Sequence, residues 1–250
     1  MYEVAFSVEK CNEQLLRYMY DELSACVAKI GGVCKYLQES RRSRFAIACN
    51  KLYAAAIKSQ SEECLLNALT LGYKNKYIRN ALAVSHSGLL VDTLINTMCI
   101  FDAKYDRYLI KKTIDISGEV CIDGYYNFRM KKLKQKWDEL VEVVKNNNAL
   151  LADDALIKEF LCYLMDFLPN TDGNLSVVVD GNNVGLFDDK GKIVPSIKLV
   201  RPATLEETIA INAICAKPKG IKLYCNSKQL DAAFVDLITY LFDVKLVENS

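Results

Sequence analysis

Histidine is almost missing from this chain: His86 is the single one among 250 residues. A Cys2His2 zinc site therefore cannot be built from one copy. His86 lies between Ser85 and Ser87, beside Gly88 and outside any nucleophile motif, and reads as structural. Glycine-rich signatures are also missing. There is no P-loop, no G-x-G-x-x-G, no G-x-S-x-G and no H-E-x-x-H, which removes the usual nucleotide, hydrolase and zinc-protease readings. The ten cysteines include no C-x-x-C pair, so they are expected to be mostly small buried hydrophobes. Net charge is only +1, so any pull toward nucleic acid or anionic lipid has to be local. Long apolar runs are lacking too. A span needs about 20 apolar residues, and the best stretch, residues 81–101, is interrupted by His86, Asp92 and Asn96. It reads as a buried helix.

Met1–Lys10 carries Glu3 and Glu9 and has no basic region followed by an apolar core. The expectation is a cytoplasmic, reducing compartment. At 51% hydrophobic and 25% charged residues the composition is that of a globular protein with a sizeable core.

The pattern predicts an α+β fold: a small N-terminal β-α-β-β unit (1–49), a central helical bundle (50–169), and a C-terminal mixed unit with a hairpin and a parallel β-α-β (170–250). Val4, Phe6 and Val8 alternate in a strand. Asn12 is placed to cap a helix whose apolar residues run from Leu15 to Ile30, and Gly31-Gly32 stops it. Strands follow at 33–37 and 45–49, joined by a turn holding Arg41, Arg42 and Arg44. Residues 50–116 read as helices, with Gly72 as a terminator. Asp153 or Asp154 caps one later helix, and Thr204 with Glu207 forms a capping box for another. Strands are expected at 175–180, 184–187 and 192–194 before the Thr204 helix and at 221–225 and 244–247 after it, with a helix from Lys228 to Phe242 capped by Ser227.

The centre of the chain, 121–169, reads as a helical hairpin. Tyr126, Met130, Leu133, Trp137, Leu140, Val141 and Val144 form one apolar stripe. Between them Arg129, Lys131, Lys132, Lys134 and Lys136 put five cations in eight residues, and Phe128 projects opposite the stripe. A basic face with an aromatic beside it suits a protein partner, and it also suits a phosphate backbone with a stacked base. Phe128, Arg129, Lys131, Lys132 and Lys134 are the candidate contact residues. No cofactor, metal ligand or catalytic residue is expected.

Residues 176–185, SVVVDGNNVG, offer an enzymatic alternative. A strand ending in Asp-Gly-Asn is similar to the opening of NYN/PIN-type ribonucleases, in which the Asp binds magnesium. Asp180, with Asp188 and Asp189, would supply the oxygens such a cation needs. The opposing reading is a plain hairpin turn at Gly181-Asn182-Asn183.

The stretch IDGYYNFRM (122–130), the run through Val144, KEFLCYLM (158–165), the hairpin about GLFDDKGKIV, and residues 206–225 through Ala216-Lys217-Pro218 together resemble the YtxC-like family of bacterial sporulation proteins. The likeness covers 110–247. The chain departs from that pattern at Cys162, where an arginine is expected, and at Tyr224-Cys225, where a histidine often closes the strand. The resemblance implies a cytoplasmic protein of an endospore-forming bacterium that works through an unknown protein partner, and it implies no activity, cofactor or catalytic residue.

Overall fold

The structure is a computed structural model and describes residues 1–84, 88–147, 149–169, 173–181, 183–225 and 230–248. His86, Asn182, Ser227 and Lys228 lie outside the described residues, as does Asn170–Asp172 of the expected linker. In chain order the elements are β1 (Tyr2–Glu9), α1 (Glu13–Lys29), β2 (Val33–Gln38), β3 (Arg42–Cys49), α2 (Ala54–Asn67), a π-helical turn (Ala68–Tyr73), α3 (Lys74–Ala81), α4 (Leu89–Phe101) and α5 (Ala103–Lys111). There follow β4 (Gly118–Cys121), α6 (Ile122–Arg129), α7 (Lys131–Lys145), α8 (Asp154–Asp166), β5 (Leu175–Asp180), β6 (Asn183–Phe187), α9 (Leu205–Ala216), β7 (Gly220–Cys225), α10 (Ala232–Leu241) and β8 (Asp243–Glu248). The fold is α+β, with two mixed four-stranded sheets.

Packing divides the chain into two interleaved compact units, Met1–Tyr77 with Asp102–Glu139, and Ile78–Phe101 with Leu140–Ser250. This differs from the three consecutive segments read from the sequence. The reason is β4, which periodicity did not reveal because it is only four residues long. It pairs in parallel with β1, Val4 opposite Gly118, and so ties residues after 117 to the N-terminal sheet.

The first unit holds the sheet β2-β3-β1-β4. β3 lies antiparallel between β1 and β2, which makes β1-α1-β2 a split β-α-β. Alternation sends Val4, Phe6, Val8, Phe45, Ile47 and Cys49 to one buried face, with Phe6 stacked on its register partner Phe45 at 5.2 Å. α1 covers that face with Leu16, Met19, Leu23 and Val27. It stops where expected: Gly31 takes φ +68°, and a Cβ on Gly32 would lie 2.7 Å from Val27 Cγ1.

Three expectations for this unit are corrected. Arg42 and Arg44 lie within β3 and not in the preceding turn. Gly72 does not end a helix, because the chain passes through the buried π-helical turn directly into α3. The helix read across 126–144 is broken at Met130 (φ −98°, ψ 16°). Met130, Leu133 and Trp137 are buried nonetheless, so the apolar stripe runs on through the break and hides it from the sequence.

The second unit holds the sheet β6-β5-β7-β8. β5, β7 and β8 are parallel and β6 returns antiparallel to β5, giving the expected hairpin and parallel β-α-β. Leu175, Val177, Val179, Leu186, Ile221, Leu223 and Cys225 are buried. α9 buries Ile209, Ala210, Ile211, Ala213 and Ile214, nearly all round its axis, as a core helix does. α4 is buried from Asp92 to Ile100. Among the described residues no helix is long and apolar enough to cross a membrane. Residues 192–194 contribute a single bridge, Ile193 to Phe187, and no strand. The last helix starts at Ala232, capped by Asp231, later than expected.

Candidate functional site

At the start of α6, Asp123 is buried and collects donors from three separate segments. Glu9 N–H donates to Oδ2 at 2.5 Å, while Asn12 Nδ2 and Tyr73 O–H each donate to Oδ1 at 2.6 Å. Arg42 Nη2 lies 3.6 Å from Oδ2 and 3.0 Å from Cys121 Sγ, and Lys76 Nζ donates to Asn12 Oδ1 at 2.7 Å. This also explains why Asn12, at the N-cap position of α1, makes no side-chain cap: its Oδ1, the atom that would accept a helix N–H, takes Lys76, and its Nδ2 is turned to Asp123. Burial first, and Asp123 second, raises the Tyr73 hydroxyl pKa far above its ordinary value.

One residue on, Lys74 reaches a second buried carboxylate. Its Nζ lies 2.8 Å from Asp106 Oδ2, the same oxygen that accepts Trp137 Nε1–H at 3.1 Å. Both ion-pair side chains are fully buried, and Asp106 Oδ1 has no hydrogen-bond partner among the described residues. Desolvation raises the Asp106 pKa against the opposing pull of Lys74 and Trp137. The last residue of the π-helical turn, Tyr73, and the first of α3, Lys74, thus fix α6 and α5 to the same core.

On this frame stand the sequence-predicted residues. Phe128 is 76% exposed, the most of any aromatic side chain among the described residues, and Arg129, Lys131 and Lys132 are exposed around it at the α6–α7 break. Lys134 does not join them. It lies 3.7 Å from the centre of the Tyr126 ring, and burial lowers its pKa. Lys136 lies over Tyr105 at 5.1 Å. The five cations therefore divide: Arg129, Lys131 and Lys132 are exposed beside Phe128, Lys136 is exposed over Tyr105, and Lys134 is half-buried on Tyr126.

The Asp180 alternative gains no support from the geometry. Gly181, at φ +57°, turns β5 back into β6 as an antiparallel hairpin, and no helix follows the motif. Asp188 accepts the amides of Lys190 and Lys192 at 2.9 and 2.8 Å and so holds its own turn, while Asp189 accepts Asn174 N–H at 2.8 Å and ties that turn to the start of β5. Among the described residues no three of His, Cys, Asp and Glu come together as a metal site would need. A concavity of about 520 Å³ beside β6 and α9 has Asn212 in its wall, but both of that amide's N–H donors and its oxygen are already engaged, by Ile197 C=O, Thr208 C=O and Ile197 N–H.

Other sequence expectations fare unevenly. Asp153 caps α8 through the amides of Ala155 and Leu156, and Thr204 accepts Glu207 N–H at 3.1 Å. Glu207 does not complete the box. It turns inward to Asn96 Nδ2 at 2.6 Å and to Arg201, which also reaches Asp92. Of the cysteines, only Cys49, Cys99 and Cys225 are fully buried, while Cys11 and Cys121 are exposed.

Comparison of the chain with family models, with curated proteins and with solved structures gives no match.

Proposed function

We propose that this chain is a non-enzymatic binding protein of the YtxC-like type, cytoplasmic and acting in sporulation, whose contact surface is the α6–α7 corner. The observation that carries the reading is the exposure of Phe128 beside Arg129, Lys131 and Lys132 on a rigid, buried base. A large apolar ring held in water by a well-anchored helix end has no role in the unit's own stability, and aromatic rings with arginine are the residue types that anchor protein interfaces. Trp137, Met130 and the Asp123 hub hold the corner in place, so little conformational entropy is lost on contact. The three outward cations favour an acidic partner.

The test is a chain carrying Phe128→Ala, Lys131→Glu and Lys132→Glu, expressed in sporulating cells. An unchanged melting temperature with loss of the co-purifying partner and a fall in spore count supports the reading. Unchanged capture and spore count ends it. Binding of RNA or DNA that falls steeply with salt would move the reading to a nucleic-acid partner.

A further inference from the structure

The second unit carries a surface that matches this corner in shape of chemistry and opposes it in charge. Along α8, Tyr163 is 52% and Phe167 61% exposed. They belong to a continuous aromatic strip: Phe160 stacks on Tyr163 at 5.8 Å, Tyr163 meets Phe167 edge-on at 5.1 Å, and Phe167 meets Phe101 of α4 edge-on at 5.7 Å. Such a strip is rare on a surface with no use for it, because each ring exposed to water forgoes its burial energy.

The strip is flanked by carboxylates. Glu159 precedes Tyr163 by one helical turn and Asp166 follows it, both exposed. Both also act on Cys162 between them, whose thiol pKa is raised mainly by burial and further by these two charges. Lys217 lies beside them, with Nζ at 3.9 Å from Asp166. Lys158 turns off the strip to pair with Asp236 and lie over Tyr240. The strip is thus aromatic and acidic, where the α6–α7 corner is aromatic and basic.

We infer that the partner of the Phe128 corner is a second copy of this chain, whose α8 strip receives it. Phe128 would add an aromatic neighbour to Tyr163 and Phe167, while Arg129, Lys131 and Lys132 come within reach of Glu159 and Asp166. A cation brought over an exposed tyrosine face adds to the attraction. The inference rests on the reading of the corner as a contact surface. The two patches differ, so each copy offers one of each, and the contact is made either twice about a two-fold axis or head to tail in a ring or a chain.

Charge reversal tests this on the full chain by sedimentation equilibrium at low salt. The native chain should self-associate, and less so as salt rises, since exposed charges are screened beyond about 10 Å at 0.1 M ionic strength. The variant K131E/K132E and the variant E159K/D166K should each lose at least about tenfold in self-association while melting like the native chain. Mixed together, they offer two complementary pairs, the acidic corner of the first with the basic strip of the second and the native basic corner of the second with the native acidic strip of the first, and should associate with each other. A native chain that stays monomeric, or a mixture no better than its parts, overturns the inference. Phe128→Ala separates the two levels: if the native chain is monomeric yet this variant loses its cellular partner, self-docking fails and the corner stands. If this variant keeps both self-association and its partner, the corner itself fails.

Discussion

Tyr73 donates its hydroxyl hydrogen to Asp123 at 2.6 Å, joining the end of the π-helical turn to the first turn of α6. Both residues are buried and lie 50 positions apart. The bond is the point at which the exposed Phe128 corner is secured to the core.

Removing either member should loosen the corner. Tyr73→Phe is expected to cost about 1.5–3 kcal/mol, the range for a hydrogen bond to a charged group. Asp123→Ala should cost more, about 3–5 kcal/mol, because it strands Glu9 N–H, Asn12 and Arg42 as well. Denaturant unfolding of both single variants and the double variant gives the coupling. Additive costs would show that the bond contributes nothing of its own.

The same hydroxyl gives the alkaline limb a sign. Its folded-state pKa is raised, while in the unfolded chain it ionises near 10. Its contribution is fully present below pH 10 and declines as pH climbs from there toward the folded value, at up to about 1.4 kcal/mol per pH unit. Tyr73→Phe should therefore lose less stability between pH 9 and pH 11 than the native chain does. Equal alkaline slopes would refute this.

Lys74 and Asp106 should behave as a pair. Lys74→Met alone leaves a buried carboxylate uncompensated and is expected to cost about 3–5 kcal/mol, whereas Lys74→Met with Asp106→Leu should recover most of that loss. Thermal melts of the three chains decide it, and a double variant worse than the single would mean that the pair is held by more than its own charges.

The outward and packed lysines should separate cleanly. Lys131→Glu and Lys132→Glu, both exposed, are expected to change stability by no more than about 0.5 kcal/mol. Lys134→Glu removes a cation from the Tyr126 ring and should cost about 1–2 kcal/mol. Similar melting temperatures for all three would contradict the division of the basic segment.

The residues that could be read in advance share one property: their partners are near in sequence or set by alternation. Val4, Phe6 and Val8 needed only the pleat, and Asp153 and Thr204 needed only amides within the next three residues. What stayed hidden depends on distant partners. Asp123 looks like an ordinary first-turn acid until Asn12 and Glu9 arrive from the other end of the unit. Glu207 has the spacing of a capping box, yet Asn96 and Arg201 offer its carboxylate a better place than Thr204 does. The α6–α7 break is invisible because the apolar rhythm of Met130, Leu133 and Trp137 carries across it. Lys134 looks like Lys132 until Tyr126 is placed beneath it.

The pairing of Val4 with Gly118 sets a schedule for synthesis. β1 has to keep one edge unfilled until more than a hundred further residues have been added, several seconds at the least at about 5–20 residues per second. Until then β1 can hold β3 but not β4, so the growing chain carries an open edge along Val4 to Ser7, and a ribosome stalled before Gly118 would release a species inclined to pair with another like itself.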